Sequence, residues 1–198
     1  MDMKTFLMRG VAAALLLAGT TAHAISLGFS PASQAVPGGS SVAVDLVISG
    51  LGDLAAPSLG NYNLDVVFDP AILALTGVAL GDPVLGDQLD LFGFGTFATV
   101  DSSVAGTVYL EEISFDSPFD LDTLQPGSFT LARLTFDVLA IGTSPLDLAN
   151  VILGDALGAP LVADIAAGSV TGIPEPGTIT LFLMGSVALG MAWRRTAG

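Results

Sequence analysis

The feature that most limits this chain is a two-residue rhythm of apolar and polar side chains, broken every few residues by Gly, Pro or Asp. In "NYNLDVVFDP", Tyr62, Leu64, Val66 and Phe68 fall on one side, with Asn61, Asn63 and Asp65 on the other. "SSVAVDLVIS" places Val42, Val44, Leu46 and Ile48 together. "FTLARLTFDVL" sets Ala132, Leu134, Phe136 and Val138 inward and Arg133, Thr135 and Asp137 outward. Successive side chains of a strand point to opposite faces, so this alternation predicts half-buried antiparallel strands. Pro37-Gly38-Gly39, Asp69-Pro70, Gly81-Asp82-Pro83, Pro126-Gly127 and Gly142 supply turns between them. Further strands are expected at 26–29, 73–80, 92–100, 107–115, 146–153 and 161–171. The total is about nine short strands with no long helix and no internal repeat, which is the pattern of an all-β sandwich.

The two ends follow different rules. "MDMKTFLMRGVAAALLLAGTTAHA" joins Lys4 and Arg9 to an apolar core and ends in Ala22-His23-Ala24, small residues of the kind signal peptidase accepts. Residues 1–24 therefore read as a signal peptide cleaved after Ala24. No Cys follows, so a lipid anchor at that point is excluded. At the other end, residues 178–193 carry no charge and precede Arg194 and Arg195. As a helix this stretch is roughly 24 Å long. It falls short of a hydrocarbon core of about 30 Å, so its flanks must help it span. Trp193 suits the interface and the two arginines suit the cytoplasmic side. Pro174, Glu175, Pro176 and Gly177 form an extended, protease-accessible segment just outside.

"PEPGTITLFLMGSVALGMAWRR" resembles the PEP-CTERM sorting signal, in which a Pro-Glu-Pro motif, an apolar helix and a basic end occur in this order. The resemblance implies recognition of Pro174, Glu175, Pro176, Gly177, Arg194 and Arg195 by an exosortase-type transpeptidase. It implies transient residence in the inner membrane of a Gram-negative bacterium and removal of the helix. Delivery to the outer surface or to an exopolysaccharide matrix follows. The domain plan is then 1–24 signal peptide, 25–172 sandwich and 173–198 sorting signal.

The order of strands in the body resembles the cohesin domain. "FSPASQAVPGGSSVAVDLVISGL" is similar to its opening strand, Pro-Gly turn and second strand. "YNLDVVFDPAILALTGVALGD" is similar to its strand that runs into Asp-Pro and a following apolar strand. "GSFTLARLTFDVLAIGTSPLDLANVILGDALGAPLV" resembles its late strands. The resemblance implies a nine-stranded jelly-roll β-sandwich, related to some carbohydrate-binding modules, with dockerin binding as the family's activity.

Composition narrows the chemistry. All of the 19 acidic residues except Asp2 and Glu175 lie in the body, against Arg133 as its one basic residue. Such a surface repels nucleic acid. After loss of the signal peptide the body has no His, Lys or Cys, which removes serine triads, thiol catalysis and imidazole-bound zinc. The lack of Cys does not argue for the cytoplasm. Glu111 and Glu112 are the obvious carboxylate pair for glycoside hydrolysis. As adjacent strand residues they point to opposite faces and do not flank one bond. They are expected to be one solvated residue and one at a sheet edge. "DSPFDLD" places Asp116, Asp120 and Asp122 in a loop as candidates for Ca²⁺, and "GDPVLGDQLD" offers Asp82, Asp87 and Asp90. No other cofactor is expected. In "LFGFGTF", Phe92 and Phe94 share a side opposite Phe97. They are expected in the sandwich core, with a sugar-binding platform as the alternative. The expected function is non-enzymatic: a cohesin-like adhesion or protein-binding module, or alternatively a carbohydrate-binding module that retains exopolysaccharide.

Overall fold

The computed structural model describes residues 24–175 and 177. Residues 1–23 of the expected signal peptide, Ala22 included, as well as Pro176, the apolar stretch 178–193, Arg194 and Arg195, lie outside the described residues. Among the described residues, no helix is long and apolar enough to cross a membrane.

Among the described residues, twelve strand segments form two sheets, where the sequence led us to expect about nine. A five-stranded sheet contains β1 (Ile25–Ser30), β3 (Ser41–Ser49), β5 (Leu73–Leu80), β8 (Ser128–Val138) and β11 (Ala163–Ile165). Its order is β11-β1-β3-β8-β5. The seven-stranded sheet contains β2 (Ser33–Pro37), β4 (Leu59–Phe68), β6 (Thr96–Asp101), β7 (Thr107–Ser114), β9 (Gly142–Asp155), β10 (Pro160–Leu161) and β12 (Gly168–Ile173). Its order is β2-β12-β9-β4-β7-β6, with β10 paired to β9. The count rises for two reasons. The segment Ser33–Pro37, outside the expected strands, forms β2 in the opposite sheet after a turn at Pro31. The stretch 161–171 breaks into three pieces that serve both sheets.

The alternation read from β3, β4 and β8 is present in space. Leu64, Val66, Val44, Leu46, Leu134 and Phe136 are buried between the sheets, and Phe68 meets Phe136 edge-on with ring centroids 5.1 Å apart. Each fully buried aliphatic side chain contributes about 1.5–3 kcal/mol of transfer free energy. β8 breaks the rhythm near its start. Leu46 and Val47 of β3 pair with Ala132 and Thr130, so Leu131 is an extra residue. This bulge lets Phe129, Leu131 and Ala132 all lie buried.

A short helix, α1 (Pro118–Leu124), interrupts the strands. Ser117 caps it by accepting the Asp120 N–H at 3.2 Å, and Pro118 opens its first turn. The segment expected as an acidic loop is therefore largely helical. Ser-Pro-Phe-Asp, with a carboxylate at the third helical position, is the sequence signal that marks it.

Antiparallel pairing gives the sandwich two distinct ends. Residue 24, the 50–58 and 81–95 loops, α1 and the 155–159 turn lie at one end. The turns at 37–40, 69–72, 101–106 and 139–141 lie at the other, where Ile173 also leaves the fold.

Candidate functional site

The outer face of the seven-stranded sheet presents the richest set of outward groups. Strand pairing aligns Phe97, Ile113 and Asn61 in one row across β6, β7 and β4. The next row holds Thr99, Glu111, Asn63 and, on β9, Ile152. The third holds Asp101, Tyr109 and Asp65. Phe97 is 51% exposed and Ile152 58%, so apolar groups stand in solvent among carboxylates and amides. Partial burial, the Glu111 charge with its hydrogen bond, and the Asp65 charge raise the Tyr109 phenol above its ordinary pKa.

Asn150 braces this face. A bulge on β9 sets Asn150 and Val151 opposite Leu64 alone, and Asn150 takes a left-handed backbone with φ 51°. Its Nδ2 then donates to Asp65 Oδ2 at 2.6 Å. Asn tolerates this conformation better than most residues, because its short amide bonds locally.

The opposite face, on the five-stranded sheet, is internally paired. Arg133 grips Asp45 at two points, 2.6 and 2.8 Å. Ser41 donates to Asp137, and Ser26 and Ser49 share a 2.7 Å hydrogen bond. The one base of the body thus neutralises a carboxylate of this face and leaves the acids of the seven-stranded face without a cationic neighbour in their rows.

The carboxylate candidates are distributed differently from expectation. Glu111 and Glu112 do point to opposite faces, but Glu112 is not at an edge. It is 1% exposed, within the seven-stranded sheet and facing the core. Tyr62 donates to its Oε2 at 3.1 Å and Thr96 to its Oε1 at 2.8 Å. Burial, then the hydrogen bond and charge of Asp87, push its pKa up to about 8. The parity of Val108 and Leu110 carries the signal for this placement, because residue 112 falls on their side.

Asp116, Asp120 and Asp122 are not brought together. Asp116 accepts the Leu91 N–H at 2.6 Å, Asp120 bonds Ser117 at 2.6 Å, and Asp122 accepts from Ser58 at 2.7 Å. Asp82, Asp87 and Asp90 each bind backbone N–H groups within their own loop. Among the described residues, no group of three His, Cys, Asp or Glu side chains is arranged to hold a metal ion.

Phe92 and Phe94 are not core residues. β6 begins only at Thr96, and Gly93 and Gly95 take positive φ of 71° and 89°. Those glycines turn the backbone out of the strand conformation. Phe92 and Phe94 consequently stand 51% and 76% exposed, their centroids 5.8 Å apart. A hollow of about 720 Å³ beside Ile25, Leu51, Pro57 and Pro126 has Asp53 as its one ionisable lining residue. It lacks the paired groups that acid–base catalysis needs.

Comparison with known proteins bears on both parts of the chain. A family model described as the PEP-CTERM protein-sorting motif matches residues 172–195. It marks the chain for export and sorting to the cell surface of a Gram-negative bacterium. No curated protein matches the sequence. Among solved structures, the sixth cohesin of Acetivibrio cellulolyticus scaffoldin B, solved with a dockerin, is similar at TM-score 0.60 and 18% identity. The match covers 76% of this chain and 99% of that one. A cohesin of Clostridium acetobutylicum matches at TM-score 0.59 and 18% identity, over 78% and 94%. The non-cellulosomal cohesin of the archaeon Archaeoglobus fulgidus matches at 0.55 and 17%, over 79% and 95%. None of these matches points to an enzyme family. The chain carries a PEP-CTERM sorting motif behind an all-β sandwich with the cohesin fold.

Proposed function

We propose that this protein is an exported binding module that captures a protein partner on the outer face of its seven-stranded sheet. An exosortase-type transpeptidase acts on its tail. In this account the stretch 178–193 holds the chain in the inner membrane until the transpeptidase acts near Pro174–Gly177, and the sandwich then passes to the outer surface or matrix.

The observation that carries the reading is the juxtaposition on one sheet of exposed Phe97, Ile113 and Ile152 with Asp65, Asp101 and Glu111. Apolar anchors supply contact energy. Carboxylates without nearby bases favour a partner rich in Lys or Arg and speed its encounter. The solved relatives support a protein ligand, since several were determined with a dockerin bound.

A second reading rests on Phe92 and Phe94. Their exposed rings, near Phe97 at the start of β6, offer a stacking surface for the apolar faces of sugars, in keeping with a module that retains polysaccharide.

Immobilised residues 25–172 separate the two. We expect capture of a protein with a basic or mixed surface from the secretome of the same organism, weakening as salt rises, because exposed charges are screened over roughly 10 Å at 0.1 M. Binding to neutral glycans on an array, with no protein captured at low salt, would replace the protein reading by the polysaccharide one.

A further inference from the structure

The two ends of the sandwich differ in charge. The end that holds residue 24 carries Asp53 and Asp155 together with the Asp82–Asp90 and Asp116–Asp122 groups. At the opposite end, the tips of the turns at 37–40, 70–72, 102–106 and 139–141 contain no charged residue. Asp69, Asp101 and Asp137 stand at the rim. Asp69 and Asp101 accept the N–H groups of Ala71 and Ser103, and Asp137 accepts from Ser41. In a chain with so many acids, an uncharged end is a departure that solubility does not explain.

That end is also apolar. Val104, Leu139 and Ile141 are 65%, 58% and 67% exposed. Their turns are fixed to the body. Leu139 N–H donates to Ile72 C=O at 2.7 Å, and a Cβ on Gly106 would lie 2.8 Å from the Phe68 carbonyl oxygen. The last strand leaves from the same place. Gly38 N–H donates to Ile173 C=O at 3.0 Å, and a Cβ on Gly172 would lie 2.2 Å from the Ala140 carbonyl oxygen. Only Pro174–Gly177 then separate the sandwich from the apolar stretch beginning at residue 178, a reach of about 14 Å when fully extended.

We propose that this end is a lipid-contact surface. While the tail is attached, Val104, Leu139 and Ile141 rest in the headgroup region of the outer leaflet of the inner membrane. The inference rests on the reading of residues 178–193 as a membrane segment. A leash this short keeps the apolar turns at the bilayer surface, where burial of their side chains is favourable and the turn tips themselves carry no carboxylate. The acidic end faces away.

The chain has no cysteine, so single cysteines report cleanly. Full-length Leu139→Cys and Ile141→Cys, with Val84→Cys (88% exposed at the acidic end) as reference, are labelled with an environment-sensitive nitrobenzoxadiazole dye. They are reconstituted in phosphatidylethanolamine–phosphatidylglycerol vesicles. Flotation reports tail insertion separately. The proposal predicts that the protein floats and that emission at 139 and 141 rises at least twofold. It also predicts quenching at those two positions by brominated lipid and no change at 84. Floating protein whose dyes at 139 and 141 behave like the dye at 84 overturns the proposal and leaves the tail reading intact. Protein that does not float overturns both. A rise at 139 and 141 that brominated lipid does not quench, and that grows with protein density, assigns the surface to a second copy and overturns the lipid contact.

Discussion

Gln125 holds two loops to the sandwich by imitating a strand. Its side chain is 1% exposed. Its Oε1 accepts the Leu59 N–H at 2.6 Å, and its Nε2 donates to the carbonyls of Leu59 and Gln88 at 3.0 and 2.9 Å. Both backbone groups of Leu59, and one of Gln88, thus have their partner in a single amide. Replacing Gln125 by Ala leaves these three groups unpaired, at about 1–3 kcal/mol for each buried donor or acceptor. Allowing for entry of water, the expected loss is roughly 3–6 kcal/mol, a large part of the 5–15 kcal/mol that usually holds a domain together. Gln125→Leu restores volume without hydrogen bonds and is expected to stay within about 1 kcal/mol of the Ala variant, because the cost lies in the orphaned groups. Urea titration of the purified body measures both. A loss below about 1 kcal/mol for Gln125→Ala, or near wild-type stability for Gln125→Leu, refutes the assignment of the cost to polar pairing.

Two further outcomes concern the acids. Glu112 is raised from 4.5 to about 8, so between those values the folded state holds a proton that the unfolded state has released. Its contribution is fully present below pH 4.5 and is lost as pH rises toward 8. Glu112→Gln should therefore gain stability relative to wild type between pH 5 and pH 8.5, as read by urea midpoints, and parallel pH profiles would contradict the buried neutral carboxyl. The carboxylates of Asp116, Asp120 and Asp122 each serve a separate donor. Millimolar Ca²⁺ should accordingly leave Tm unchanged, and a rise that Asp120→Asn removes would show that the segment can close on an ion.

What the sequence disclosed, and what it hid, follows from how many positions share a constraint. β3, β4 and β8 were legible because a one-residue slip would move every apolar side chain of the strand to the wrong face. Residues 73–80 were recognised as β5 with the same bounds because an apolar run lies there between the Asp69-Pro70 and Gly81-Asp82-Pro83 turn signals. The aromatic stretch misled because Phe-Gly alternation satisfies the period-two rule while its glycines allow the opposite backbone sign. The bulge at Asn150 escaped notice because a single extra residue leaves no periodic trace. Glu112 was assigned the correct parity with Glu111, yet its burial depends on Tyr62 and Thr96, which reach it from 50 and 16 residues away. The interaction face is a similar case. Its rows are assembled from β4, β6, β7 and β9, and no local pattern brings Phe97, Glu111, Asn63 and Ile152 together.

The central claim, that the seven-stranded face binds a protein, is tested most directly by the affinity of the captured partner for face variants. Phe97→Ala and Glu111→Gln remove one apolar anchor and one charge from that face. Thr135→Ala alters the outer face of the five-stranded sheet. The account predicts that each of the first two weakens Kd about tenfold at low salt, in the range of an interface anchor, while Thr135→Ala leaves Kd unchanged. Affinity lost on Thr135→Ala but retained in Phe97→Ala and Glu111→Gln would place the binding surface on the opposite sheet and contradict it.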